Sequence, residues 1–87
     1  MRVKKDFILK TVGDQIIVVP VGIEAVKFHG MISLNETGKL LFEYLSEDRS
    51  IEALKGLLVQ TFDISEDTAL KDVLKFIKVL ETHHILE

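Results

Sequence analysis

The pattern of apolar positions in the first part of the chain predicts short β-strands. Two β-rich runs, Phe7 to Val12 and Gln15 to Pro20, are separated by Gly13-Asp14. Glycine adopts positive φ without strain, so this spacing predicts a tight hairpin. The second run is apolar at successive positions, which predicts a strand covered on both faces.

The pattern then changes to a helical one at the junction ISLNETG, residues 32–38. A third extended segment is predicted before and into this junction, over Val26 to Phe28 and Met31 to Leu34. Asn35 predicts a helix N-cap, because its side-chain oxygen can accept from free N–H groups of the first turn. Gly38 lies inside the predicted helix, where glycine costs about 1 kcal/mol relative to alanine. We therefore expect another backbone to approach closely at Gly38.

Three amphipathic helices are predicted after the junction. Each has apolar residues at the i, i+3, i+4 spacing that gives a helix one buried side. They extend over about Glu36 to Ser46, Ile51 to Thr61 and Glu66 to Thr82. The order βββααα predicts an α+β domain, with the helices on one side of a three-stranded antiparallel sheet.

The composition fits one small domain over residues 1–87, since 47% of the residues are hydrophobic and can form a core. The absence of cysteine excludes disulfides, thiolate catalysis and cysteine-ligated metals. The longest apolar run, Ile16 to Ile23, is far shorter than the roughly 18 residues of a membrane span. No signal peptide is recognisable, so we expect a cytoplasmic protein. The net charge of −3 disfavours a nucleic-acid partner.

No residue pattern indicates catalysis, a metal site or a cofactor. His83 and His84 are adjacent, so on a helix their side chains point about 100° apart and do not easily share a metal. The five glycines are scattered singly, unlike those of a phosphate-binding loop. We therefore expect no enzymatic activity, no metal and no cofactor.

The third predicted helix carries apolar residues outside its buried side. Relative to Val73 at the centre of that side, Leu74 lies about 100° away in one direction and Val79 about 120° in the other. If one flank of the helix lines a groove for an apolar partner, that groove accounts for one of these two residues. If the domain covers the helix on three sides, both are accounted for. The outer surface carries a lysine row that suits an acidic peptide or forms a solvated face: Lys71, Lys75 and Lys78.

The second and third predicted helices also resemble a helix-turn-helix, with a short turn near Asp63-Ile64. In such a motif the N-terminal residues of the second helix meet DNA. Here those residues are Glu66 and Asp67, which repel phosphate. A winged-helix shape is expected, and these acidic residues disfavour DNA binding by it.

Four segments stand out together: IVVP at Ile17 to Pro20, FHGMISLNETG at Phe28 to Gly38, Phe42, and DVLKFIKVLETHHIL at Asp72 to Leu86. In this combination the chain resembles the PqqD-like family, small proteins of pyrroloquinoline quinone biosynthesis and related peptide-modification pathways. The resemblance covers nearly the whole chain. It departs from the family pattern at Phe42, where tryptophan is often found, and at His83-His84, where a glycine is common.

The resemblance implies a winged helix-turn-helix-like fold and a non-catalytic peptide chaperone, also called a precursor-peptide recognition element. Such domains bind the leader of a ribosomal precursor peptide and present it to a separate radical SAM enzyme. The leader adds as a strand to the edge of the third strand and lies against the third helix. Strand addition gives affinity through backbone hydrogen bonds and specificity through alternate side chains.

The same resemblance yields candidate peptide-binding residues on two elements. They are Val26, Phe28 and Ile32 on the third strand, and Leu74, Lys71, Lys75 and Lys78 on the third helix. We expect the ISLNETG junction to position this groove without contacting the peptide. Two alternatives stay open: a winged-helix DNA-binding regulator, and a structural homodimer subunit whose apolar surface is the dimer contact. We expect the protein to be a monomer or a homodimer.

Overall fold

The computed structural model describes residues 1–27 and 32–87, except for the side chains of residues 26 and 27. Three strands form an antiparallel sheet in the order β1-β2-β3, and three long helices follow it. This confirms the predicted α+β fold. In chain order the elements are β1 (Phe7–Val12), β2 (Gln15–Pro20), α1 (Glu24–Lys27), β3 (Ile32–Leu34), α2 (Glu36–Tyr44), α3 (Ile51–Phe62) and α4 (Glu66–Thr82).

The β1–β2 hairpin has the predicted two-residue turn. Val12 pairs with Gln15, and the residues between them are Gly13 and Asp14. Gly13 has a φ of 63°, in the region that glycine occupies without a Cβ clash. In β2, the neighbouring residues Ile17 and Val18 are both buried, which confirms a strand covered on both faces at that point.

The third extended segment is shorter than the sequence pattern indicated. Val26 lies in the four-residue helix α1 and not in a strand, so its assignment to the third strand is wrong. Gly22, with a φ of 62°, turns the chain after β2, and its carbonyl accepts from the Ala25 N–H at 3.1 Å. Glutamate and alanine in this segment are good helix formers. Phe28, the other candidate before β3, lies outside the described residues.

Side-chain caps fix where the long helices begin. The Asn35 side chain accepts from the Gly38 N–H at 2.8 Å, as predicted for the junction. Ser50 and Ser65 cap α3 and α4 in the same way. α4 has the predicted bounds, whereas α2 ends two residues before the predicted Ser46.

The core lies between one face of the sheet and the long helices. Val18 of β2 and Ile32 of β3 contribute from the sheet, and Leu41, Leu58 and Val73 from the helices. The chain ends close this core: Val3 forms a β-bridge with Leu86, and Ile85 is fully buried. The sheet and α4 are thereby held in one packed unit.

α4 ends in a Schellman motif, in which His84 stands at the left-handed position. His84 has a φ of 56°, and its N–H donates to the Glu81 carbonyl at 3.1 Å. The Ile85 N–H donates to the Leu80 carbonyl at 2.9 Å, and both of these side chains are fully buried. Glycine is favoured at the left-handed position of this motif, because any Cβ is crowded there.

We predict that His84→Gly raises the free energy of unfolding by about 1 kcal/mol, since it relieves the left-handed strain of a non-glycine residue. Urea denaturation measures the change. His83→Gly is the neighbouring control: His83 has a φ of −98°, so glycine relieves no strain there. It also removes the hydrogen bond from the His83 ring to the Val79 carbonyl, so we expect it to lower the stability. Equal or lower stability of His84→Gly would show that the histidine is not strained.

Candidate functional site

A groove lies between β3 and one flank of α4, and the start of α2 lies along it. Its volume is about 310 Å³. It combines an apolar floor with polar groups. Its lining residues in the described part of the chain are Ile32, Ser33, Leu34, Asn35, Thr37, Gly38, Leu41, Asp72, Lys75, Phe76 and Val79.

The strand side of the groove is a sheet edge. Within the described residues, β3 pairs with β2 alone, in the register Ile16 with Leu34 and Val18 with Ile32. An edge strand presents backbone N–H and C=O groups on its outer side, where another extended chain can pair. The buried Ile32 and the half-buried Leu34 share one face of β3, because side chains alternate along a strand.

Gly38 brings the helix side and the strand side together. A Cβ at Gly38 would lie 3.3 Å from the Leu34 Cβ and 3.3 Å from the Phe76 Cε1. The close approach predicted for this glycine therefore exists, but it is made by an aromatic ring and a strand side chain and not by another backbone. Phe76, on α4, is packed against the β3–α2 corner at this contact.

The ISLNETG junction lines the groove as well as positioning it. Asn35, Thr37 and Gly38 are all among the lining residues. The junction is thus part of the groove wall, and the expectation that it does not contact the peptide stays a prediction. The N-cap bond brings residues 35–38 into a tight turn directly after the edge strand, so their surface continues that of β3.

One flank of α4 forms the helix side of the groove. Asp72, Lys75, Phe76 and Val79 follow one another at spacings of three, one and three residues, which places them on adjacent rows of the helix surface. Phe76 is buried and Val79 half-buried, whereas Asp72 and Lys75 are exposed. This flank therefore has an apolar base beside the core and a charged rim.

The structure brings two of the predicted site residues together, Ile32 on β3 and Lys75 on α4. Leu74 and Lys78 lie on the other flank of α4, where they line a separate depression with Ile77 and Glu81. At about 100° per residue, Leu74 points away from the flank that Val79 occupies. Lys71 is exposed and lies on the outer surface of α4, between the two flanks. Whether any of these residues binds a peptide stays a prediction.

The charged groups with perturbed pKa values lie outside the groove. A hydrogen bond from the Arg2 guanidinium lowers the pKa of the Glu87 carboxyl, and a hydrogen bond to Glu52 raises the pKa of Lys55. The described residues contain no group of histidine and carboxylate side chains that could hold a metal ion. The groove itself offers backbone pairing, apolar surface and two exposed charges, which suits the binding of an extended chain.

In the described part of the chain, no helix is long and apolar enough to cross a membrane.

Comparisons with known proteins agree with this architecture. The sequence profile of the family described as coenzyme PQQ synthesis protein D (PqqD) matches residues 16–86. The fold is similar to that of TbiB1 in complex with the TbiA(beta) leader peptide, with a TM-score of 0.77 and 15% identity, over 100% of this chain and 95% of that one. It is also similar to lasso peptide synthetase B1 complexed with the leader peptide, with a TM-score of 0.73 and 14% identity, over 97% and 93% of the two chains. No curated protein sequence matches significantly.

Proposed function

This chain belongs to the PqqD family, and we propose that it is a non-catalytic peptide chaperone. It binds the leader of a ribosomally made precursor peptide in the groove between β3 and α4, and it presents that peptide to a radical SAM maturase. The observation that carries this proposal is the position of an edge strand directly beside an apolar helix flank. Two proteins of similar fold are complexed with leader peptides, which supports the same class of ligand here.

Strand addition explains how such a groove would bind many sequences yet prefer some. A leader strand beside β3 would lie about 4.8 Å from it and use backbone groups that every residue carries. Alternate side chains of that strand would point toward α4, where Phe76 and Val79 offer apolar surface. Affinity would therefore come mainly from backbone hydrogen bonds to β3 and from the apolar contact with Phe76 and Val79. The other side chains of the leader would determine selectivity.

The proposed role requires no catalysis by this chain. A binding module needs only to hold its peptide in an extended form, which the edge of β3 can do. The modification itself is assigned to the separate maturase. The proposed complex therefore has three components: this chain, the leader and the enzyme.

Amide NMR titration with the leader of a precursor peptide encoded beside the gene tests the proposal. We expect shifts concentrated in residues 32–38 and 72–79, the two walls of the groove. A leader with proline at alternate positions should bind poorly, because proline removes the N–H groups that pair with β3. Shifts centred on the opposite flank of α4, or no binding at high micromolar leader, would contradict the proposal.

The DNA-binding and homodimer alternatives make different predictions. Glu66 and Asp67 are exposed in the first turn of α4, which would face phosphate in a helix-turn-helix complex. A gel shift that weakens steeply with salt would favour DNA binding, because neutralised phosphates release counterions. Light scattering across concentrations distinguishes a homodimer from a monomer with an open groove.

A further inference from the structure

Two residues of opposite charge stand next to each other on the rim of the groove. Among the described lining residues, Asp72 and Lys75 are the two that carry a charge. Both side chains are exposed. Neither takes part in the ion pairs found within the described part of the chain. The rim therefore presents one acceptor and one donor that a bound peptide can engage.

The spacing of this pair matches the spacing of side chains on a strand. Residues three apart on a helix have Cβ atoms about 5–6 Å apart. On a strand, residues two apart share a face and are about 6.7 Å apart, from a rise of about 3.3–3.4 Å per residue. The difference of about 1 Å is within the reach of the flexible lysine stem. Two neighbouring same-face residues of an added strand can therefore each meet one of the two charges.

We propose, resting on the function proposed above, that Asp72 and Lys75 select leaders that carry a basic and an acidic residue two positions apart. The basic residue pairs with Asp72 and the acidic one with Lys75. This differs from the uniformly acidic peptide that the lysine row suggested, because Lys71 lies outside the groove and Lys78 on the opposite flank. The groove thus recognises the order of two charges along the peptide.

The pair is suited to selectivity more than to raw affinity. Each exposed ion pair contributes only about 0.2–1 kcal/mol. Reversing the order of the two charges replaces two attractions by two repulsions, so the effects of both sites add. We expect a reversed peptide to bind roughly tenfold more weakly at low salt, where surface charges are least screened.

A display library of random peptides, selected against the intact chain, tests this inference. We expect enrichment of peptides with opposite charges two positions apart, in one preferred order. The double variant Asp72→Lys/Lys75→Glu has the same net charge and should enrich the reversed order. Peptides from each selection, titrated against both proteins, should show the roughly tenfold preference exchanged between them.

The opposite flank of α4 offers a matched control. Lys78 and Glu81 have the same three-residue spacing and line the other depression. Lys78→Glu/Glu81→Lys should leave the selected sequences unchanged. Binding to groove residues without a preferred charge order, or the same order for both charge variants, would overturn the selectivity while leaving the chaperone function intact. Failure to select any peptide that shifts groove amides would overturn both.

Discussion

Val79→Asp is expected to weaken binding of the leader about hundredfold while the domain stays folded. Val79 is half-buried on the groove flank of α4, so a bound strand would cover it completely. The variant loses about 1.5 kcal/mol of apolar burial. It also adds a carboxylate one turn after Lys75, which costs a further 1–3 kcal/mol to desolvate under a bound strand. A loss of roughly 3 kcal/mol corresponds to about a hundredfold in Kd. Fluorescence anisotropy with labelled leader measures the affinity, and thermal denaturation checks the fold.

Leu74→Asp is the matched control on the same helix. Leu74 is also apolar and is 48% exposed, but it lines the depression on the opposite flank. The same substitution there should change the affinity less than twofold, an effect below about 0.4 kcal/mol. If Leu74→Asp weakened binding and Val79→Asp did not, the leader would occupy the other flank and the groove assignment would fail.

The sequence could not distinguish these two flanks. Leu74 and Val79 lie at similar angles on either side of the buried face, so helical periodicity treats them alike. The choice depends on where β3 lies relative to α4, which is set by contacts between residues far apart in the chain. Gly38 gave one clue, because a helix that keeps a glycine despite its cost in helix propensity indicates a close neighbour at that position. That neighbour is Phe76, on the same side of α4 as Val79, but the glycine alone does not identify it.

Local signals predicted the elements well where a capping or turn residue fixed their ends. Asn35 is the N-cap of α2 and Gly13 forms the hairpin turn, both as predicted. Ser50 and Ser65 are the N-caps of α3 and α4. The short helix α1 was missed because four residues are too few to show a helical period. The sequence pattern predicted an extended segment at Val26 because valine has a high β-propensity. The turn at Gly22 overrides this preference.

Gly38→Val is expected to lower both the stability and the leader affinity. The valine Cβ would lie 3.3 Å from the Leu34 Cβ, the Asn35 Oδ1 and the Phe76 Cε1, before its two methyl groups are added. Overpacking of this kind costs about 1–3 kcal/mol, more than the few tenths gained in helix propensity. A net loss of about 2 kcal/mol lowers the thermal midpoint by roughly 10 °C in a domain of this size. Displacement of Phe76 should also narrow the groove and weaken leader binding about tenfold.

Gly56→Val separates this packing effect from the general effect of replacing a helical glycine. Gly56 lies inside α3, and a Cβ built there meets no heavy atom within 4 Å. Valine at Gly56 should therefore raise the free energy of unfolding by a few tenths of a kcal/mol and leave leader binding unchanged. Similar changes in stability and leader affinity in both variants would mean that the β3–α2 corner accommodates a larger side chain. In that case Gly38 would not be the residue that sets the distance between the edge strand and α4.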